Sequence, residues 1–385
     1  MLRIAILGVG AISDSHIQAY LRHPARCRIV ALADLYPDKA AEKARKFGLE
    51  ASVYGGLDQL IADAEFDAAS ICLPPFEHAP ACIALLDAGK HVLVEKPMAT
   101  SLQECDAMLH AAKTSGKILS VVAQNRFKTP MWKLKQLLDA RLIGRVLHAQ
   151  VDSYWWRGGN YYDLWWRGTW AKEGGGCTMN HAVHHIDLFQ WMMGMPREVL
   201  AVTANLCHEN SEVEDFSTAL LSYGDGARGQ ITASLIHHGE EQQLAFQGEF
   251  AKVAVPWQVV AMKQRENGFP DEDLERKTLI QSRYDQLPAL TVEGHDAQIE
   301  NFLRAIHGEE RLVVDGSQGR NTLELITAIY QSAHLGHPVT LPLQASDLFY
   351  TQEGVLKHAR HFHEKTRNIG NFANNEINLG RNYGK

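Results

Sequence analysis

Long apolar runs are missing from this chain. No stretch approaches the roughly 20 residues that cross a bilayer, so no membrane span is expected. Extended basic runs are missing too. The formal net charge of −7 argues against nucleic acid as the main partner. The six cysteines (Cys27, Cys72, Cys82, Cys105, Cys177, Cys207) are scattered, with no CxxC pair. They read as reduced thiols of a cytoplasmic protein rather than a disulfide framework. A strand pattern begins within three residues of Met1, so no signal peptide is expected. There is no internal repeat. What remains is ordinary: 385 residues, 45% hydrophobic and 22% charged, enough for two or three domains with full cores.

The first third alternates strand-like and helix-like segments. Arg3–Leu7 is a short apolar run suited to a strand buried on both faces. Gly8-Val9-Gly10 follows, then a helical segment from Ser13 to Leu21. Glycines there allow a tight bend and let a pyrophosphate reach the helix N-terminus, where free N–H groups favour anions. Ser13 replaces the third glycine of the usual fingerprint, so the motif is incomplete. A second strand, Arg28–Ala33, ends at Asp34. An acid there takes both ribose hydroxyls of an adenosine and repels a 2′-phosphate, which favours NAD over NADP. Further pairs follow: a helix over 37–47, a strand over 66–73, a helix over 79–88, a strand over 91–94, a helix over 101–115 and a strand over 118–122. This alternation predicts βαβ units and a parallel sheet. Loops at the carboxyl ends of such strands form the ligand crevice. They carry Gly8, Gly10, Ala11 and Ile12; Asp34; Leu73, Pro74 and His78; Glu95 and Lys96; and Asn125 and Arg126, the expected cofactor contacts. Lys96 follows a buried strand and precedes Pro97, where desolvation lowers an ammonium's pKa.

The stretch from Glu173 to Trp191, EGGGCTMNHAVHHIDLFQW, carries the most chemistry. Three consecutive glycines exclude a helix interior and bare the backbone. A helical run follows and stops near Gly194 and Pro196. On a helical wheel, Ala182, Ile186, Phe189 and Met193 share one face, and Asn180, His184 and Asp187 share the other. Facing a cleft, the second set is a proton-transfer and hydrogen-bonding array. Facing water, Asn180 is a cap, Asp187 is solvated and His184 is a satisfied histidine. His181 and His185, at i and i+4, leave zinc open, but no glutamate lies between them and no third ligand is evident.

With these residues assembled, GVGAI, Asp34, AGKHVLVEKP and EGGGCTMNHAVHHID, in this order, resemble the glucose–fructose oxidoreductase / inositol dehydrogenase (Gfo/Idh/MocA) family. The resemblance covers about residues 1–330. It implies an α/β chain: an N-terminal Rossmann domain with a doubly wound parallel sheet (1–124), then an α+β domain on an open, mostly antiparallel sheet (125–345), then a C-terminal helix and polar tail (346–385). It implies NAD(P)-dependent transfer of hydride to or from a ring hydroxyl or carbonyl of a sugar, sugar derivative or cyclic polyol. It implies Lys96 beside substrate and cofactor, His184 as acid/base, and Asn180 and Asp187 as further members of the site. Two positions depart from the pattern. Asn180 stands where inositol dehydrogenases carry Asp, which points toward sugars rather than inositol. Pro75 stands where the cofactor loop usually has Asn.

Between the strand pattern at 146–153 and the glycines lies YWWRGGNYYDLWWRGTWAKEGGG. The cluster has three readings: core, a base-stacking surface, or a sugar site in which indoles cover a pyranose and arginines bind its polar groups. The last is favoured, with Arg157, Tyr162, Trp166 and Arg167 joining Lys96, Asn180 and His184 at the substrate. Four strand patterns (199–206, 216–223, 228–235, 243–247) predict an antiparallel sheet, whose free face commonly pairs subunits in the resembled family, as a dimer or tetramer. A surface loop is expected over 263–286, helices over 297–306 and 322–333, and a helical stretch after Pro342 to about Lys365. The tail 366–385 reads as disordered or as a subunit-wrapping arm. No resident metal is expected. Alternatives on the same fold are a glycoside-cleaving enzyme with resident NAD, a dinucleotide-sensing regulator without turnover and, last, a zinc hydrolase.

Overall fold

The computed structural model describes residues 1–370 and 372; the remaining tail lies outside the described residues, so neither reading of it is addressed. The first domain runs β1 (Leu2–Leu7), α1 (Ser13–Leu21), β2 (Cys27–Ala33), α2 (Pro37–Phe47), β3 (Ser52–Tyr54), α3 (Leu57–Asp63), β4 (Ala68–Ile71), α4 (His78–Asp87), β5 (His91–Val94), α5 (Leu102–Ser115) and β6 (Leu119–Val121). Its six strands order as β3-β2-β1-β4-β5-β6 and pair only in parallel. Helices cover both faces, so strands such as Ala68–Ile71 are buried throughout. The strand order reverses between β1 and β4, whose ends pair as Leu7 with Ile71. That switch point opens the crevice at the carboxyl ends of the strands.

The second domain contains α6 (Thr129–Asp139), β7 (Val146–Tyr154), α7 (Cys177–Asn180), α8 (Val183–Met193), β8 (Glu198–Ala204), β9 (Phe216–Ser222), β10 (Arg228–Ser234), β11 (Gln242–Gly248), β12 (Lys252–Val255) and β13 (Gln258–Val260). A small hairpin, β14 (Met262–Gln264) with β15 (Pro270–Glu272), precedes α9 (Leu274–Gln286), α10 (Gly294–Ile306), α11 (Gly316–Leu335), β16 (Val339–Thr340) and α12 (Gln352–His358). Its main sheet orders as β13-β12-β11-β7-β10-β9-β8-β16. It is mixed: β7 and β10 run parallel and the other neighbours antiparallel. α8 and α11 cover one face. The other face leaves Leu200, Val202 and Leu220 at 39%, 58% and 59% exposure.

α11 ties the two domains together. Asp315 caps its start by accepting from the Gln318 N–H. Gly316 and Gly319 pack tightly on Leu119 and Val121 of β6. Farther along, Ser332 Oγ accepts from the Ala201 N–H of β8 at 3.0 Å. α10 lies against α1, where Asp296 accepts from Arg22 (2.6 Å) and meets His23 (3.0 Å).

Three expectations need correction. Residues 263–286 are not an irregular loop: they form the hairpin and a helix of 13 residues capped by Asp273. The charge that suggested a loop is a solvated helix face with only Ile280 buried. After Pro342, helix is limited to Gln352–His358, because the chain beyond is extended and spends its backbone on neighbours, as in Phe362 N to Glu212 O (3.0 Å). The stretch after the glycines is two helices, not one, interrupted at His181–Ala182.

Candidate active site

At the crevice, β1 ends in a turn that only glycine fits. Gly8 has φ +89°, and a Cβ there would lie 2.6 Å from Cys72 O at the end of β4. A Cβ at Gly10 would meet nothing within 4 Å, and Ala11 beside it is exposed. Ser13 Oγ donates to Gly10 O at 2.7 Å and starts α1. Asp34 is fixed at the rim: its carboxylate accepts from the N–H groups of Val9 (2.9 Å) and Tyr36 (3.0 Å). Ile12, Leu73 and Pro74 are half-buried around the same opening. An open glycine turn, a helix N-terminus and an acid tethered to that turn fit a dinucleotide.

Three residues expected at the cofactor face inward instead. His78 is buried, and its ring nitrogens are 2.8 Å from Pro97 O and Leu73 O, so it braces the cofactor loop against the lysine strand. Glu95 is buried against His16 Nε2 (2.9 Å) and accepts from the Lys96 N–H (3.1 Å). Those bonds, with His295 close by, hold its carboxyl well below the usual range although burial opposes this. His16, Glu95 and His295 are the one metal-capable group of three among the described residues, and neither His181 nor His185 is in it. Arg126 is fully buried. Its Nε and Nη2 each donate to Asp187 at 2.7 Å, and Nη1 reaches Gln318 Oε1 at 3.0 Å. This ion pair engages both Asp187 oxygens, although Asp187 stays in the lining of the cavity that holds His184. The wheel placed Asp187 by spacing alone and could not see the arginine arriving from another element.

Lys96 and the second domain do converge. Lys96 Nζ donates to Asn180 O at 3.3 Å, at the end of α7 and one turn before His184. Lys96, Asn125, His184 and Asp187 line a single cavity of about 20 Å³, with apolar walls from Val121, Val183 and Ile326. Burial draws the Lys96 ammonium below its ordinary value, opposed by Glu95. Burial and the Lys96 charge hold His184 well below the usual imidazole value. The site thus sets the Lys96 amine beside an imidazole whose protonation is disfavoured. Asn180 uses its side chain locally, with Nδ2 donating to Gly175 O at 3.0 Å.

The last of the three glycines, Gly176, is required by a residue that the sequence did not single out. Glu214 is completely buried and accepts from the N–H groups of Gly176 and Thr178 (both 3.0 Å) and from Tyr330 Oη (2.9 Å). A Cβ at Gly176 would sit 1.8 Å from Glu214 O, which leaves room only for hydrogen. Nothing local in the sequence around Glu214 marks it, because its partners arrive from α7 and α11. Cys177 is buried, with its thiol pushed well up, as an inert group would be.

The aromatic segment divides. Tyr162, expected at the substrate, is core: 1% exposed, edge-on to Tyr161 and His208. Trp170 is core as well, its indole N–H donating to Arg360 O at 3.1 Å. Arg157, Trp166 and Arg167 are only half-buried. Arg167 stacks over Tyr161 and Trp166, with Cζ 4.2 Å from each ring centroid. Trp165 meets Phe76 of the first domain edge-on, with ring centroids 6.2 Å apart, so this segment touches both domains.

Comparison with known proteins now places the chain. Residues 2–123 match the oxidoreductase family with an NAD-binding Rossmann fold, and residues 131–254 match the GFO/IDH/MocA C-terminal domain. The chain belongs to the Gfo/Idh/MocA family. Its first domain is this family's NAD-binding Rossmann domain. The D-glucoside 3-dehydrogenase of Escherichia coli K12 is 24% identical over 360 residues, covering 88% of this chain and 97% of that protein. The 1-carboxy-3-chloro-3,4-dihydroxycyclo hexa-1,5-diene dehydrogenase of Comamonas testosteroni is 28% identical over 261 residues, 65% of this chain and 62% of that one. Among solved structures, the WlbA dehydrogenase from Bordetella pertussis in complex with NADH and UDP-GlcNAcA is 30% identical, with a TM-score of 0.77 over 89% of this chain and 98% of the other. No helix among the described residues is long and apolar enough to cross a membrane.

Proposed function

We propose that this Gfo/Idh/MocA protein is an NAD-dependent dehydrogenase of a sugar, sugar derivative or cyclic polyol, with Lys96 and His184 at the reacting oxygen. One observation carries the reading: Lys96, after β5 of the first domain, and His184, on α8 of the second, line one cavity, and Lys96 Nζ also donates to Asn180 O of the preceding α7 at 3.3 Å. Similarity to proteins named for glucoside oxidation, or solved with NADH and a sugar nucleotide, supports the substrate class.

Gly8, Gly10, Ala11, Ile12 and Asp34 hold the dinucleotide, with Leu73, Pro74 and Asn125 along its path. When bound, NAD supplies the hydride acceptor. His184, neutral through burial and the Lys96 charge, accepts the proton of the ring hydroxyl. Lys96 donates a hydrogen bond to the same oxygen and stabilises negative charge developing there. Arg126 and Asp187 hold α8 in place behind His184. The apolar open face of the second sheet, with Leu200, Val202 and Leu220, supports pairing as a homodimer or homotetramer, and sedimentation of the purified chain checks it.

The test is to supply NAD with sugars, sugar acids, inositols and glycosides and to follow reduced nicotinamide at about 340 nm. Reduction with at least one cyclic substrate is expected. NADH binding without reduction by any of them contradicts the proposal and favours a sensor. Aglycone release without net reduction favours glycoside cleavage.

A further inference from the structure

Polar atoms that the proton transfer does not use are enclosed by the aromatic segment. His181 sits in the break between α7 and α8, three residues before His184. It is 8% exposed, with its ring 5.8 Å from that of Trp155 and 5.4 Å from that of Tyr161. Its Nδ1 is buried and has no hydrogen-bond partner among the described residues. Arg167 Nε is buried and equally without one, although Arg167 Nη1 bonds the Tyr161 hydroxyl and Glu173 Oε1 (2.9 Å). Arg157 approaches the same rings, its Cζ 5.5 Å from the Trp155 centroid and 5.9 Å from that of Tyr161.

The charges around these atoms cancel only in part. Arg157, Arg167 and Lys96 are the cations whose fields, after burial, keep His181 uncharged. Three acids answer them: Glu240 on Arg157 at 2.6 Å, Glu173 on Arg167, and Glu95 beside Lys96. Burial pushes the Glu173 carboxyl up to about 7, so it offsets Arg167 only in part at neutral pH. A buried donor left unsatisfied costs about 1–3 kcal/mol, and more beside a charge. Two such atoms on residues packed against the same Tyr161 ring call for an explanation, and a bound ligand is one. A sugar hydroxyl would occupy one of them and leave the positive excess. A carboxylate brings two acceptor oxygens and one negative charge, and a guanidinium edge with an imidazole N–H is matched to it.

We propose that His181, Arg167 and Arg157, between Trp155 and Tyr161, bind a carboxylate carried by the substrate, so that the ring oxidised at Lys96 and His184 is that of a sugar acid. The identification of the ring as a sugar rests on the function proposed above; the carboxylate pocket stands on its own observations.

The experiment is calorimetric titration of the NADH-saturated protein with methyl glycosides of glucuronate, galacturonate and N-acetylglucosaminuronate. Each is compared with its neutral parent, and glucose 6-phosphate tests a phosphate in place of the carboxylate. At least one acid should bind about tenfold or more tightly than its parent and than the phosphate, a gap of about 1.4 kcal/mol. His181→Phe and Arg167→Lys should each remove most of that preference and leave NADH affinity unchanged. Equal affinity within every pair, preference for the phosphate, no binding of any acid, or a preference that survives both substitutions would overturn the proposal. Heat is read without turnover. A protein that shows the preference but transfers no hydride therefore supports the pocket while refuting the dehydrogenase reading.

Discussion

Asp187→Asn separates a role in the fold from a role in the reaction. Both carboxylate oxygens accept from Arg126 at 2.7 Å, and Oδ1 also accepts from Thr322 Oγ1 at 3.0 Å. Asparagine keeps the shape and one acceptor. It turns an amide donor toward a guanidinium that is fully buried and cannot recover water. Breaking a buried pair from one side costs about 3–5 kcal/mol. Unfolding entropy of about 2.1 cal/mol/K per residue, applied to a 385-residue chain melting as one unit, converts this to a fall in Tm of about 4–6 °C. Arg126→Met in the same background should restore part of the loss, because it removes the stranded charge. The assay is thermal melting beside turnover at saturating substrate, well below the melting range. A Tm unchanged within about 1 °C, with kcat down about a hundredfold, would refute this reasoning and return Asp187 to the chemistry.

Other outcomes follow from the same coordinates. Gly176→Ala should prevent the segment from seating, since its Cβ would fall 1.8 Å from Glu214 O, and should abolish soluble active protein; expression with near-normal activity would contradict the packing. Asp34→Ser should relax selectivity, so that NADP affinity rises relative to NAD, measured by quenching of intrinsic fluorescence; native preference for NADP would contradict the assignment of Asp34. Burial lowers His185 to about 3, so between there and roughly 6.5 the unfolded chain takes up a proton that the folded chain refuses. That contribution is complete above about 6.5 and shrinks as pH falls, by about 2 kcal/mol at pH 5. Glu173 has the opposite sign: raised to about 7, it stabilises most below its unfolded value, and this is lost as pH rises through about 7. His185→Gln should therefore lose less Tm than the native chain between pH 7 and pH 5, and Glu173→Gln more; the reverse order would contradict both assignments.

Local patterns were legible where the physics is local. The helices 13–21 and 37–47 and the strand 91–94 stand where periodicity and turn residues put them. Short elements escaped: β3 has only three residues, and α3 carries a single buried side chain, too little to impose a period. The meeting of Lys96 and His184 at one cavity was readable because strand ends and helix turns fix each within a few residues. Partners that arrive from distant segments were not. Arg126 meets Asp187 across 61 positions, and Glu214 meets Tyr330 across 116. The wheel set Asp187 beside His184, with which it lines one cavity, but it could not show Arg126, nor the break at His181 that brings this imidazole against Trp155 and Tyr161.

The claim underneath is that two domains bring an ammonium and an imidazole to one oxygen. The most direct measurement is a double-substitution cycle on turnover with the substrate found by screening, comparing Lys96→Met, His184→Gln and the pair, with NADH affinity measured alongside. Groups that act as a unit give strongly non-additive losses, so the pair should be little worse than the worse single variant, with NADH binding retained in all three. Losses that multiply, or near-native rates in either single variant, would contradict it.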